Sequence, residues 1–431
     1  MHYREGLHFR HGAQNWSADR KRDWILHRLR FTVRRAYKDI PFYRERFDAS
    51  GFDPSADFTF DDYSRLPILE RSELANAGKA LRATTLPAEL IRQDATGGST
   101  GQPTIIWTGP EERGWRESGT EHFMRRLGVP KGSSVALLWG HHLDPVGSDR
   151  LADRLRAFAE NVRWFDCLRL SPEFLQEYDR QLRGWRPRCL IAYASALGAL
   201  AEEVARSGAL PDYPRRCFVT GAEKLMPHHR RLIESVFQRP VYERYGSRDI
   251  GLMGFQTTRD EAPPYEVDWA NVLLEPETDG AEASIIVTKL HADAMPMLRY
   301  RVGDVGRFPE ASRAGTPALV LHAVIGRDSD RVWLPNGRWV HGIAFPHLMK
   351  DFPVREFQIH QAQDYSVTIA IVPGDQFSAA DSEAIVRTVQ SNLPGLPIAV
   401  RLVTEIPRTR SNKWRPVITE VQQRATTEPV V

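Results

Sequence analysis

The sequence predicts an α/β protein in two parts, a large amino-terminal domain over residues 1–328 and a small α+β domain over residues 329–431. Three observations lead there. Apolar runs of strand length alternate with helical stretches from about residue 91 to 325, the pattern of a parallel-rich sheet. After about residue 265 the texture turns to antiparallel-like strands. The chain has 431 residues, more than one core ordinarily serves.

In chain order, residues 1–90 read as a helical opening region. Arg20, Lys21, Arg22, Arg28, Arg30, Arg34, Arg35 and Lys38 alternate with Trp24, Ile25, Leu29, Phe31, Val33 and Tyr37, which predicts an amphipathic helix with a solvated basic face. Ile40-Pro41-Phe42-Tyr43 and a turn at Pro67-Ile68-Leu69 follow. Strands are expected at Ser134–Trp139, Cys189–Tyr193, Arg216–Thr220 and Val241–Tyr245. Helices are expected near Asp149–Asn161, over Ala196–Ser207 and over Pro227–Phe237. Later strands fall at Asn271–Glu275, Ala283–Thr288 and Leu319–Val324. In the final segment Tyr365–Val372 reads as a strand and Ala380–Ser391 as a helix, with turns at Pro373-Gly374 and Pro394-Gly395.

Composition narrows the function classes. The formal net charge is +3, which gives no argument for a nucleic-acid partner. Cys167, Cys189 and Cys217 are far apart in sequence and read as buried thiols of a reducing compartment. Met1-His2-Tyr3-Arg4-Glu5 is not an apolar signal, and no apolar run approaches membrane-spanning length, so a cytoplasmic protein without a membrane partner is expected.

The most informative stretch is Ala95-Thr96-Gly97-Gly98-Ser99-Thr100-Gly101-Gln102-Pro103. Glycines allow close backbone approach, and Ser and Thr hydroxyls donate to anionic oxygens, so the run suits a polyphosphate loop as readily as an exposed linker. Neither the Walker Lys-Ser/Thr nor the G-x-G-x-x-G spacing is present. Thr220-Gly221-Ala222-Glu223 could set a backbone edge and a carboxylate against a nucleobase, or could be a helix N-cap. In Tyr245-Gly246-Ser247-Arg248-Asp249, Tyr245 offers a stacking face, Ser247 a hydroxyl and Asp249 an oxygen for Mg²⁺; a strand-to-helix turn is the plain alternative. Asp304, just beyond the strand Arg299–Gly303, suits ribose hydroxyls, with Arg327 as a further donor. Lys413, in the basic loop Pro407–Arg415, could meet a carboxylate or phosphate, or simply be solvated. His141 and His142, after Trp139-Gly140, could line a substrate pocket or exchange a proton, and Trp139, Phe165 and Tyr193 could line it or belong to the core. A metal pair at the two histidines lacks a third local ligand. No Gly-x-Ser-x-Gly elbow marks an esterase.

In this order the motifs resemble the adenylate-forming ligase superfamily, and most closely its phenylacetate-CoA ligase and CapK-like branch. The helical opening with Ile40–Tyr43, the run Ala294-Met295-Pro296-Met297-Leu298-Arg299-Tyr300 and the compact carboxyl segment carry that closer likeness. The resemblance spans nearly the whole chain. It implies ATP-dependent activation of a carboxylic acid as acyl-AMP with release of pyrophosphate, then transfer to CoA or another nucleophile. By resemblance, Thr96, Gly97, Gly98, Ser99, Thr100 and Gly101 hold the ATP phosphates. Gly221, Ala222, Glu223, Tyr245, Gly246 and Ser247 surround the nucleotide, and Asp304 and Arg327 hold ribose. Asp249 binds Mg²⁺, and Lys413 bridges carboxylate and α-phosphate. Ser329 falls at a hinge of the mobile small domain, and Gly337 and Arg338 enter the site for the second half-reaction.

The chain departs from the family pattern at three positions. Asp249 replaces the usual Glu, Gln102 a frequent Lys, and Ser329 a frequent acidic hinge residue. An aryl or arylalkyl acid is the expected substrate, with CoA, an amine or another small nucleophile as acceptor. The alternatives are a CoA-independent amide-, ester- or nitrogen-coupling ligase and a non-catalytic nucleotide-binding relative. The resemblance also allows a homodimer.

Overall fold

A long amphipathic helix shows how the amino-terminal region is built. In this computed structural model, the residues described are 1–95, 104–140, 160–260, 262–327, 331–336, 338–342, 344–349, 352–407 and 415–421; the side chains of residues 341, 344, 346 and 347 are not described. Helices α1 (His2–Ala13), α2 (Ala18–Asp39), α3 (Pro41–Ser50), α4 (Phe60–Ser64) and α5 (Arg71–Ala77) open the chain. Ser17 caps α2 by accepting the Arg20 N–H, and Ile25, Leu29, Val33 and Ala36 are fully buried along one stripe. Burying each large aliphatic side chain contributes about 1.5–3 kcal/mol. Pro41 starts α3 because its missing N–H is not needed there.

The basic face of α2 is not simply solvated, which corrects the sequence reading. Arg28 donates to the Leu290 carbonyl at 2.8 Å, Arg30 to that of Phe58 at 2.9 Å and Arg34 to that of Pro54 at 3.1 Å. Arg35 pairs with Glu111 at 3.0 Å. Conversely Phe31, expected to be on the apolar side, is exposed.

Helix α6 (Pro110–Arg126) follows the hairpin of β1 (Arg92–Ala95) and β2 (Ile105–Thr108). The Asp293 carboxylate accepts the Glu111 and Glu112 N–H groups at the start of α6. Gly109 must be glycine, because a Cβ there would lie 2.2 Å from that carboxylate. Near the other end of the helix, Gly119 leaves room for a buried ion pair between Arg10 and Asp268, 2.7 Å apart.

The main sheet has eight strands in the order β13-β9-β8-β7-β6-β5-β3-β4. They are β3 (Val135–Trp139), β4 (Val162–Asp166), β5 (Cys189–Tyr193), β6 (Cys217–Gly221), β7 (Val241–Ser247), β8 (Gly251–Phe255), β9 (Tyr265–Val267) and β13 (Val320–Leu321). The run β7-β6-β5-β3-β4 is parallel, and β8, β9 and β13 extend it antiparallel. Strands β5 and β6 are buried at every residue, as central parallel strands covered on both faces should be. Helices α7 (Pro172–Trp185), α8 (Ala194–Ser207) and α9 (Pro227–Phe237) contribute to the core on one face, and Phe123 and Met124 of α6, with Leu127 just after it, to that on the other.

A second sheet, in the order β10-β11-β12-β14, contains β10 (Val272–Pro276), β11 (Glu282–Lys289), β12 (Tyr300–Arg307) and β14 (Ala323–Arg327). The strand expected at Leu319–Val324 is therefore two strands in two sheets. His322 N–H donates to the Arg307 carbonyl between them. Asp304 lies within β12 rather than beyond a strand end. The chain divides into two compact units, Met1–Val302 with Gly306–Val324, and Gly303–Val305 with Ile325–Val431.

The smaller unit has its own core. Strands β15 (Arg331–Trp333), β16 (Trp339–His341), β17 (Val354–Gln361), β18 (Val367–Pro373), β19 (Ile398–Leu402) and β20 (Val417–Thr419) accompany α10 (Ala344–Met349) and α11 (Ala379–Asn392). The larger of its sheets runs β19-β18-β17-β20. Val332, Phe345, Ile359, Ile369, Ile385, Val389 and Val417 form its interior. Buried Gln361 exchanges two hydrogen bonds with the Trp333 backbone, at 2.8 and 2.7 Å, so its amide is paid for locally.

Candidate active site

The carboxyl ends of β6 and β7 bring several of the sequence-predicted residues to one region of the large unit, where open α/β sheets ordinarily bind ligands. Strand β6 ends at Gly221, and α9 begins only at Pro227 behind Met226. Gly221-Ala222-Glu223 is thus a post-strand bend and not an N-cap of the next helix. Ala222 has φ +67°, a left-handed conformation unusual for a residue with a Cβ. The Glu223 carboxylate accepts the Ser195 N–H at 3.0 Å, at the start of α8.

Tyr245 to Asp249 join two antiparallel strands, not a strand and a helix. Gly246 is fixed by close approach, since a Cβ would lie 2.4 Å from the Gly251 carbonyl oxygen. Tyr245 is buried with its ring 6.2 Å from that of Tyr265. Ser247 Oγ accepts the Ile250 N–H at 3.3 Å. Asp249 is buried, and its Oδ2 accepts the Tyr300 hydroxyl at 3.1 Å.

Three residues that sequence reasoning missed brace this hairpin. Arg116 of α6 donates to the Arg248 carbonyl at 3.2 Å and pairs with Glu112 at 3.3 Å. Glu112 also takes Lys289 at 2.8 Å, both side chains being almost fully buried. Burial lowers the Lys289 pKa, and the Glu112 charge opposes that. The sequence reading places no element at α6, and nothing local pairs Glu112 with Lys289. Arg248 reaches Asp94 of β1 at 3.3 Å. Ala95 and Ile105 are partners in the β1–β2 ladder, on either side of a further segment in the sequence. That segment, with Thr96, Gly97, Gly98, Ser99, Thr100, Gly101 and Gln102, lies outside the described residues. So do His141, His142, Ser329, Gly337 and Lys413.

Trp139 and Tyr193 do meet, edge to face with ring centroids 4.4 Å apart, and the Tyr193 hydroxyl donates to the Gly140 carbonyl at 3.2 Å. Phe165 is buried against Tyr178 and belongs to the core. Cys189 and Cys217, distant in sequence, are partners on β5 and β6 with sulfurs 4.0 Å apart; all three cysteines are buried. In the smaller unit, Asp304 pairs with Arg327 at 3.1 Å. The Arg338 N–H donates to Asn336 Oδ1 at 3.0 Å in the turn between β15 and β16.

Among the described residues no cluster of three or more His, Cys, Asp or Glu could hold a metal. No helix among them is long and apolar enough to cross a membrane.

Residues 332–420 match the CapK C-terminal domain family. Phenylacetate-coenzyme A ligase of Pseudomonas putida is 26% identical over 328 residues, covering 73% of this chain and 72% of that protein. The phenylacetate-coenzyme A ligase of Thermus thermophilus is 22% identical over 427 residues, covering 91% and 94%. A solved 2-hydroxyisobutyryl-CoA ligase, in complex with 2-HIB-AMP, shares the fold with a TM-score of 0.72 at 19% identity, covering 94% of this chain and 90% of that one. The fold is that of the adenylate-forming superfamily. Within that superfamily the chain is most similar in sequence to phenylacetate-coenzyme A ligases and, in its carboxyl-terminal part, to the CapK family.

Proposed function

We propose that this protein is an ATP-dependent, AMP-forming ligase that activates an aryl or arylalkyl carboxylic acid and passes the acyl group to CoA or another small nucleophile. The observation that carries the reading is Asp249. It is a buried carboxylate oriented by Tyr300, set in a glycine-tight hairpin beside Gly221 and Tyr245.

In the first step a carboxylate oxygen attacks the α-phosphorus of ATP, the bond to the bridging oxygen breaks, and pyrophosphate leaves. Thr96–Gly101 hold the departing phosphates. Gly221–Glu223, Tyr245 and Ser247 receive the nucleotide, and Asp304 with Arg327 takes the ribose. Asp249 would hold Mg²⁺, which supplies positive charge against the phosphate oxygens. Lys413 neutralises charge developing between carboxylate and α-phosphate. Trp139 and Tyr193, with His141 and His142, line the acyl side. Gly337 and Arg338 serve the transfer step, in which the nucleophile attacks the acyl carbon and AMP leaves.

The test is acid-dependent exchange of labelled pyrophosphate into ATP across aryl, arylalkyl and aliphatic acids. Exchange is expected with an aryl or arylalkyl acid, falling about 100-fold or more in Asp249→Ala and Lys413→Ala. ATP binding without exchange for any acid would overturn the reading. Thioester formation on adding CoA, against amide formation on adding amines, identifies the acceptor.

A further inference from the structure

Strands β3, β5 and β6 end at Trp139, Tyr193 and Gly221, and Arg244 of β7 continues that row on the face of the main sheet that packs on α6. Beneath that row the face is apolar, with Leu137, Ile191, Val219 and Tyr242 joining Phe123 and Met124 of α6. The Arg244 guanidinium therefore stands at the rim of a hydrocarbon layer.

Its direction is informative. The guanidinium carbon lies 4.9 Å from the Trp139 ring centroid. Trp139 is on β3, three strands from β7 and about 14 Å away in backbone terms, so the side chain reaches inward across β6. Gly221 makes way for it, since a Cβ there would come within 3.0 Å of the Arg244 side chain. Asp249 lies the other way, in the turn between β7 and β8. Arg244 thus points away from the phosphate chemistry and toward the aromatic pair.

Among the described residues Arg244 has no counter-ion. Other buried or partly buried arginines of this unit meet carboxylates: Arg10 meets Asp268 at 2.7 Å, Arg299 meets Glu275 at 3.1 Å and Arg230 meets Glu243 at 3.2 Å. Among the described residues Arg244 meets none. Burial lowers its pKa, and the titratable groups acting on it are the Cys189 thiol and the Tyr193 phenol. A guanidinium keeps its proton, so desolvating it is costly until an anion arrives.

We propose that the acid bound here carries a second anionic group, a carboxylate at the end of its aryl or arylalkyl frame remote from the reacting one, and that Arg244 pairs with it. This rests on the adenylation reading above, in which Trp139 and Tyr193 hold the frame. A guanidinium matches a carboxylate in two parallel hydrogen bonds, and a site built for such a partner discriminates strongly against the analogue lacking it.

The experiment compares matched acids in pyrophosphate exchange: phenylacetate with 4-carboxyphenylacetate, and benzoate with isophthalate. Wild type, Arg244→Gln and Arg244→Lys are each assayed, with thermal melts confirming that the variants fold. Wild type is expected to favour the diacids by about tenfold or more in kcat/KM. Arg244→Gln should lose about 100-fold on the diacid and less than about threefold on the monoacid, and Arg244→Lys should keep part of the preference. Equal use of both acids by wild type, or an equal loss on both in Arg244→Gln, overturns the pairing and leaves adenylation standing. Exchange with no acid overturns adenylation. The pairing is then judged by thermal stabilisation with the diacid alone, which should vanish in Arg244→Gln; no stabilisation of wild type overturns it too.

Discussion

Ala222 occupies a backbone conformation that glycine adopts without cost, directly after β6. Ala222→Gly should therefore raise stability by about 0.5–1 kcal/mol, seen as a higher denaturation midpoint with an unchanged slope. His122 offers a second single-residue test. Burial, with Arg10, Arg126 and His11 nearby, lowers its pKa to about 4, so the folded ring stays neutral where the unfolded one gains a proton. Stability from this group is complete above about pH 6.5 and is lost as the pH falls toward 4. Solvent screening of the half-buried ring leaves on the order of 2 kcal/mol. His122→Gln should flatten the stability profile across that window in denaturant titrations.

The β7–β8 hairpin is the element on which the site depends. Its sides touch at Gly246 and Gly251, and Arg116 holds the turn through the Arg248 carbonyl. Gly251 has φ +96°, and a Cβ there would lie 2.5 Å from Arg116 Nε. Gly251→Ala should cost about 2 kcal/mol and reduce pyrophosphate exchange, because it displaces the turn bearing Asp249. Thermal melts and exchange assays check both effects. Element-level reading from sequence worked where one local rule sufficed. The apolar runs of β5 and β6 and the proline-started helix α9 were legible because burial on both faces and proline geometry leave direct marks. It failed where pairing decided. Residues 319–324 are uniformly strand-like, and only the contact at His322 divides them between two sheets. Tyr245 and Asp249 could be picked out by type, whereas Arg116, Glu112 and Lys289 matter through partners distant in sequence. Arg244 could be read as a strand residue, but that no described carboxylate meets it is visible only in three dimensions.

For the whole molecule, the two units have separate interiors, and every residue of the core around Ile359 and Ile369 lies between Val332 and Val417. A fragment of residues 325–431 should therefore fold alone with one cooperative unfolding transition. Circular dichroism during denaturant titration decides this, and a gradual, non-cooperative loss of signal would refute it. The complementary fragment 1–324 lacks Lys413. Lacking Arg327 as well, it should bind ATP more weakly and lose acid-dependent exchange altogether, which equilibrium binding and the exchange assay separate.

The buried pair of Arg10 and Asp268 joins residues 258 positions apart. A ribosome releases the guanidinium long before the carboxylate exists, on the order of tens of seconds earlier at ordinary elongation rates. During that interval α1 has no charge to dock against, so the first helix made is among the last to settle. The nascent chain thus carries its amino-terminal helix uncommitted through most of its own synthesis. A shortened gene that omits this helix would strand Asp268 in the interior without its counter-charge, a change that costs about 3–5 kcal/mol.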